Sequence, residues 1–187
     1  ASDPAIEGTI AMASGVIAGN QVANLTAPVK LSGGVLTISS ASARVFGGNI
    51  QADGKISLAD QQYQVHLTGS GVELSNVPDL PQDLRGIGAF DIVAQGRGTE
   101  RPAVNGTMSL SGARWAGLAA DQVNAGFSVL GSRTAIDFIN ILADGGKLSG
   151  RGQLIDDEVQ LAFWGQSLPL SRFSDLAGTA LAGWIDM

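Results

Sequence analysis

The sequence predicts an all-β fold: two tandem repeats of about 98 residues, each made of short, mostly antiparallel strands, with one or two short helical turns. Three observations carry this expectation. Apolar and polar residues alternate with period two along many stretches, as in strands buried on one face only. Gly is frequent, 26 of 187 residues, while charged residues make up only 15%. That composition excludes a disordered chain and a coiled coil. The chain also matches itself when shifted by 98 residues, and a fixed internal period decides architecture before any single motif does.

The elements follow in order. Ile6, Gly8, Ile10 and Met12 alternate with Glu7, Thr9 and Ala11. Ile50, Ala52, Gly54, Ile56 and Leu58 alternate with Asn49, Gln51, Asp53, Lys55 and Ser57, and Tyr63, Val65 and Leu67 alternate with Gln62, Gln64 and His66. In the second copy Val104, Gly106, Met108 and Leu110 alternate with Asn105, Thr107 and Ser109. Gly-Gly pairs, Ala59-Asp60-Gln61 and Asp156-Asp157-Glu158 mark tight connections, so neighbouring strands are expected to be antiparallel, about seven per copy. Pro78 to Leu84 and Ser171 to Ala177 are the two candidate helical turns, the second with Ser171 as N-cap.

The repeat is read residue by residue. Pro4-Ala5-Ile6-Glu7-Gly8-Thr9-Ile10 falls on Pro102-Ala103-Val104-Asn105-Gly106-Thr107-Met108. Gly47-Gly48 falls on Gly145-Gly146, and Gly54 on Gly152. The register holds from Pro4 to about Leu67 with thirteen identities, too many for scattered glycines alone. The offset then slips to 96, placing Val72-Glu73-Leu74 on Leu168-Pro169-Leu170, and to 97 at Leu84-Arg85-Gly86 against Leu181-Ala182-Gly183. The division is therefore 1–85, 86–180 and 181–187, the last read as the lead-in to a third copy. Ala1-Ser2-Asp3-Pro4 reads as a cut start, and the whole as part of a longer array. Gly8, Gly54, Gly106 and Gly152 sit in phase with the apolar residues. A glycine inside a strand marks a bend or the close approach of another group, and its recurrence in both copies suggests a bend.

Composition narrows the chemistry. The net charge is −6 and the Lys and Arg residues are scattered singly, so a nucleic-acid partner is excluded. There is no Cys and a single His, which leaves no thiol chemistry, disulfide or His-based metal site. No apolar run is long enough to span a membrane as a helix. His66 lies on the polar side of its strand, with Trp164 as its counterpart at offset 98, and reads as a solvent-facing residue. Asp156-Asp157-Glu158 reads as a hairpin tip, and Gly96-Arg97-Gly98 as a turn without the third glycine and helix of a phosphate loop. No catalytic residue, metal or cofactor is expected, and the protein is not expected to be an enzyme.

The apolar face is the remaining candidate site. It is expected to consist of Ile6, Ile10, Met12, Ile50, Ile56, Leu58, Tyr63, Val65 and Leu67 in the first copy. In the second copy it continues with Val104, Met108, Leu110, Leu148, Leu154, Leu161 and Phe163. Two destinations are open to it: the dry core of a closed sandwich, barrel or solenoid-like structural module, or the inside of an open curled sheet that holds lipid. Open edge strands would also favour pairing of two copies.

Gly98-Thr99-Glu100-Arg101-Pro102-Ala103-Val104-Asn105-Gly106-Thr107-Met108-Ser109-Leu110 is followed by the Ala143 to Gly152 stretch, Ala-Asp-Gly-Gly-Lys-Leu-Ser-Gly-Arg-Gly. With these the chain resembles the AsmA-like superfamily, most closely its TamB branch (the inner-membrane-anchored subunit of the translocation and assembly module), over nearly its whole length. The resemblance implies a periplasmic protein anchored in the inner membrane by a segment outside these residues. It implies a long, curled open sheet (a β-taco-like trough) whose apolar inside carries phospholipid acyl chains toward the outer membrane. It also implies a role in outer-membrane biogenesis and protein assembly beside a TamA-like outer-membrane barrel, with no residue here assigned to that contact.

Overall fold

The computed structural model describes residues 5–155, 158–169 and 184–185. Eleven strands form one antiparallel sheet, each strand beside its neighbours in the chain. They are β1 (Ile6–Ile17), β2 (Asn20–Ser32), β3 (Val35–Val45), β4 (Gly48–Ser57), β5 (Gln62–Glu73), β6 (Arg85–Arg97), β7 (Ala103–Trp115), β8 (Leu118–Leu130), β9 (Arg133–Ala143), β10 (Gly146–Ile155) and β11 (Glu158–Gln166). A 3-10 turn, Leu74–Asn76, follows β5. A separate two-stranded pairing joins β12 (Leu168–Pro169) to β13 (Trp184–Ile185). The all-β, open, antiparallel sheet agrees with the sequence reading. Its antiparallel order also differs from a β-solenoid, whose coils stack in parallel.

The strands are fewer and longer than expected. They run from 9 residues in β11 to 13 in β2, instead of about seven short ones per copy. The cause is bulges. Asn24, Ser40, Gly71 and Gly112 have φ of 53°, 51°, 69° and 60° inside strands. Such residues carry the signature of a turn, but here each adds a residue to one strand and the ladder resumes beyond it. At Ser40 the distorted backbone is satisfied locally: its N–H donates to Asp53 Oδ1 at 2.7 Å.

The stretch from Pro78 to Leu84 is not helical. Pro78 and Pro81 lack N–H donors and push the residues before them out of helical geometry. What forms instead is a tight turn, with Leu84 N–H on the Pro81 carbonyl at 3.0 Å, and the 3-10 turn lies upstream. The candidate turn at Ser171 to Ala177 lies outside the described residues. So does most of 181–187, of which only Trp184–Ile185 is described.

Strand bounds recur along the chain. β2 and β8, β3 and β9, and β4 and β10 begin and end 98 residues apart. The bulge of β3, between Ile38 and Ala41, lies 98 residues before that of β9, between Ile136 and Ile139. The turns Ala18-Gly19 and Ala116-Gly117 share left-handed φ pairs of 48°/83° and 50°/79°, the type I′ geometry that suits a two-residue hairpin.

The slip to 96 falls earlier than the sequence suggests. Residues 58–61 connect β4 to β5, whereas only 156–157 separate β10 from β11. The ladder therefore sets Val159, Leu161 and Phe163 at the places of Tyr63, Val65 and Leu67. The counterpart of His66 is Ala162, not Trp164. β6 is paired to both β5 and β7, so the sheet continues unbroken through position 85.

Candidate functional site

Residues directly opposite in a sheet share a face, so the pairing traces each face across all eleven strands. One row runs Gly8–Val29–Ile38–Gly54–Val65–Ala94–Val104–Val129–Thr134–Leu154–Val159. Another runs Ala43–Ile50–Gly69–Phe90–Met108–Ala125–Ile139–Gly150–Phe163. Every member but Thr134 is apolar or glycine. With strands ~4.8 Å apart and alternate residues ~6.8 Å apart, about five such rows cover roughly 1,300 Å². The largest apolar patch on an ordinary soluble monomer is about 300–600 Å².

Nothing among the described residues covers this face. Among the described residues no large side chain is completely buried, and the buried side chains are small: Val22, Ala27, Ala41, Val72, Ala113, Ala135 and Ser149. Ile6, Ile10, Leu161 and Phe163 are 67%, 57%, 58% and 54% exposed. Substantial contacts run between chain-neighbouring strands, as in a single layer.

Fifteen of the sixteen sequence-predicted lining residues lie on this face: Ile6, Ile10, Met12, Ile50, Ile56, Tyr63, Val65, Leu67, Val104, Met108, Leu110, Leu148, Leu154, Leu161 and Phe163. Leu58 stands one residue past β4, which ends at Ser57, and its N–H donates to the Gly34 carbonyl at 2.8 Å, next to the Val35–Ser57 pair. The face also contains Phe90, Ile92, Phe127, Ile136, Ile139 and Ile141, which the sequence reading did not name. Alternation through Gly88, Phe90, Ile92 and Ala94 could have found the first two. Ile136 and Ile139 are out of phase with each other, and only the bulge at Asp137 and Phe138 brings both to one side.

The opposite face is mostly polar and joined by side chains, with Phe138, Leu142 and Trp164 as apolar members in the second half of the sheet. Glu7 meets Lys30 at 2.5 Å, and Ser128 Oγ donates to Asp137 at 3.0 Å. Ser149 Oγ donates to Asn140 at 2.8 Å, and Gln153 Nε2 to Gln160 at 2.6 Å. The Lys30 ammonium lowers the pKa of Glu7 by hydrogen bond and by charge. In the β4–β5 turn the carboxyl of Asp60 is likewise held low, by the Ser57 hydroxyl first and the Gln62 N–H second. His66 lies on this face, its Nε2 2.9 Å from Asp91 Oδ1. Asp156 and Asp157 are outside the described residues. Among the described residues no three His, Asp or Glu side chains gather as a metal site would need. A cavity of about 440 Å³ lined by Arg133, Asp137, Arg151, Gln153 and Gln160 is also on the polar side.

The strand glycines serve close approach. Gly69 lies opposite Phe90, Gly106 opposite Phe127, and Gly150 opposite Phe163. A Cβ on Gly69 or Gly150 would stand 2.3 or 2.4 Å from the facing ring. The rings lie down over their glycine partners, which keeps the apolar layer thin where upright rings would form ridges. Gly8 has no atom near its Cβ position, so this reason does not extend to it. No protein-family model, curated protein or solved structure matches the chain.

Proposed function

We propose that the chain is a non-catalytic periplasmic segment of a TamB/AsmA-like protein whose apolar face shields phospholipid acyl chains on their way between the inner and outer membranes. The observation that carries this reading is an apolar face continuous over eleven strands with no cover among the described residues. Leaving a 16-carbon chain in water costs about 13 kcal/mol at about 0.8 kcal/mol per CH₂. A surface that covers the chain at each step removes most of that cost and needs no nucleophile, metal or cofactor.

In this reading the two stretches that share strand bounds 98 residues apart are tandem repeats. The matching bulges bend their strands alike, and the sheet curls into a trough with the apolar rows inside. An inner-membrane anchor and a TamA-like outer-membrane barrel belong to the longer protein and to outer-membrane biogenesis. The thin layer made by ring-on-glycine pairs suits a smooth conduit.

The test is native mass spectrometry of the purified chain with lipid extraction from the same sample. Phospholipid is expected at a defined stoichiometry. Ile56→Asp and Leu154→Asp should abolish it, while Lys55→Asp and Gln153→Asp, one residue away on the polar face, should keep it. Circular dichroism of all four verifies folding. Equal loss in both pairs of folded variants, or a chain that stays empty when phospholipid is offered, overturns the reading in favour of a structural module.

A further inference from the structure

β5 and β11 stand at equivalent places in the ladder, but among the described residues β5 has a neighbour on both sides and β11 on one. The next step after each is alike in detail. Near the end of β5 the chain passes a left-handed residue, Gly71 at φ 69°, then pairs Val72 with Gly88 and Glu73 with Ile87 as β6 begins. Beyond β11 it passes Ser167 at φ 53°, then pairs Leu168 with Ile185 and Pro169 with Trp184. Those partners are displaced by 96 residues on one side and 97 on the other, the same offsets that relate the two stretches of sequence. The pairing of β12 with β13 is thus the first rung of a β5–β6 ladder.

We infer that the open edge of β11 is an acceptor for one further antiparallel strand with the alternation of β6, entering from β13 in a fixed register. Four properties support the site. Among the described residues no strand pairs with this edge, and an open edge offers N–H and C=O groups that seek a strand. Val159, Leu161 and Phe163 are 65%, 58% and 54% exposed, whereas Tyr63, Val65 and Leu67, covered by β6, are only partly so. Gly165 takes the place of Gly69, over which the Phe90 ring lies. The register follows from the β5–β6 pairs: Tyr63 with Gly96, Gln64 with Gln95 and Leu67 with Ile92 become Val159, Gln160 and Phe163 with the matching residues of the incoming strand. This inference rests on strand geometry and stands apart from the lipid reading.

The chain has no cysteine, so a single disulfide can read the register. The full chain is extended after Met187 by the sequence of Asp91 to Gly98, and Gln160→Cys is combined with cysteine at the added copy of Val93, Gln95 or Arg97. Paired positions bring Cα atoms within disulfide range, while a two-residue displacement adds ~6.8 Å. Cross-linking is expected with the copy of Gln95 and not with the other two, and amide exchange along β11 should slow. Cross-linking spread over all three positions, none at any, or intermolecular disulfides joining two copies through position 160 overturns the inference. The last of these would assign the edge to self-pairing.

Discussion

β1 to β4 and β7 to β10 follow nearly the same path with matching strand bounds and turns, yet their apolar faces differ in thickness. Gly8 opposite Val29 becomes Gly106 opposite Phe127. Ala52 opposite Leu67 becomes Gly150 opposite Phe163, and Gly54 opposite Val65 becomes Gly152 opposite Leu161. Ala41 and Ala43 give way to Ile139 and Ile141. A small residue faces a large one in each of the three pairs, and the large one is larger in the second region. The ladder thus preserves the fit of each pair and lets the depth of the apolar layer vary. This makes clear which glycines are required by space and which are merely present.

The largest expected effect breaks the comparison at its first pair. A Cβ on Gly106 would stand 2.7 Å from the Asp91 carbonyl oxygen and 3.1 Å from the Phe127 ring. Because the first of these is backbone, it cannot rotate away. Gly106→Ala should cost about 1–3 kcal/mol as an overpacked site. Gly8→Ala, at the equivalent place with open space around it, should gain about 0.5–1 kcal/mol by restricting the unfolded chain. Denaturant unfolding of both variants measures this, and equal costs would show that the two regions pack alike.

A second effect, close in size, recreates the first region inside the second. Gly150→Ala forces the Phe163 ring from its place and should destabilise by about 1–3 kcal/mol. Adding Phe163→Leu restores the Ala–Leu pair found at Ala52 and Leu67, so the double variant should recover at least half of the loss. A coupling energy above about 0.5 kcal/mol is expected for residues in contact. Strict additivity in the double-mutant cycle would mean that the ring and the glycine are independent. Gly54→Ala is gentler: its Cβ would meet ordinary contacts at 3.4 Å and 3.5 Å, and a gain of about 0.5 kcal/mol is expected.

Much of this was legible in the sequence, and the exceptions have local causes. Period-two alternation placed Ile56 and Leu154 on one face because a strand offers a side chain only two directions. Strand length was not legible. Ser40 and Gly71 carry turn-like chemistry, and whether such a residue ends a strand or bulges within it depends on the neighbouring strand. Leu58 keeps the alternation one step past the end of β4, in the connection to β5. Glycine was read as bend, but at Gly106 and Gly150 the reason is a facing ring on the next strand, a contact that spacing along one strand does not reveal.

The smallest effect lies on the polar face, where the two regions differ in charge. Glu7 pairs with Lys30 on adjacent strands, and their counterparts are Asn105 and Ser128, which do not titrate in this range. Lys30 holds the Glu7 carboxyl below its ordinary value of 4.5. A carboxylate with a depressed folded-state pKa adds stability above its unfolded pKa, and that stability is lost as pH falls through the folded value. Glu7→Asn with Lys30→Ser, which copies the second region's pair, should therefore flatten the fall in thermal midpoint below about pH 4.5 and leave the midpoint at pH 7 nearly unchanged. The difference from the parent should shrink in high salt, because both groups are exposed and screened. Identical acid limbs in parent and double variant would show that the ion pair sets strand register without contributing measurable stability.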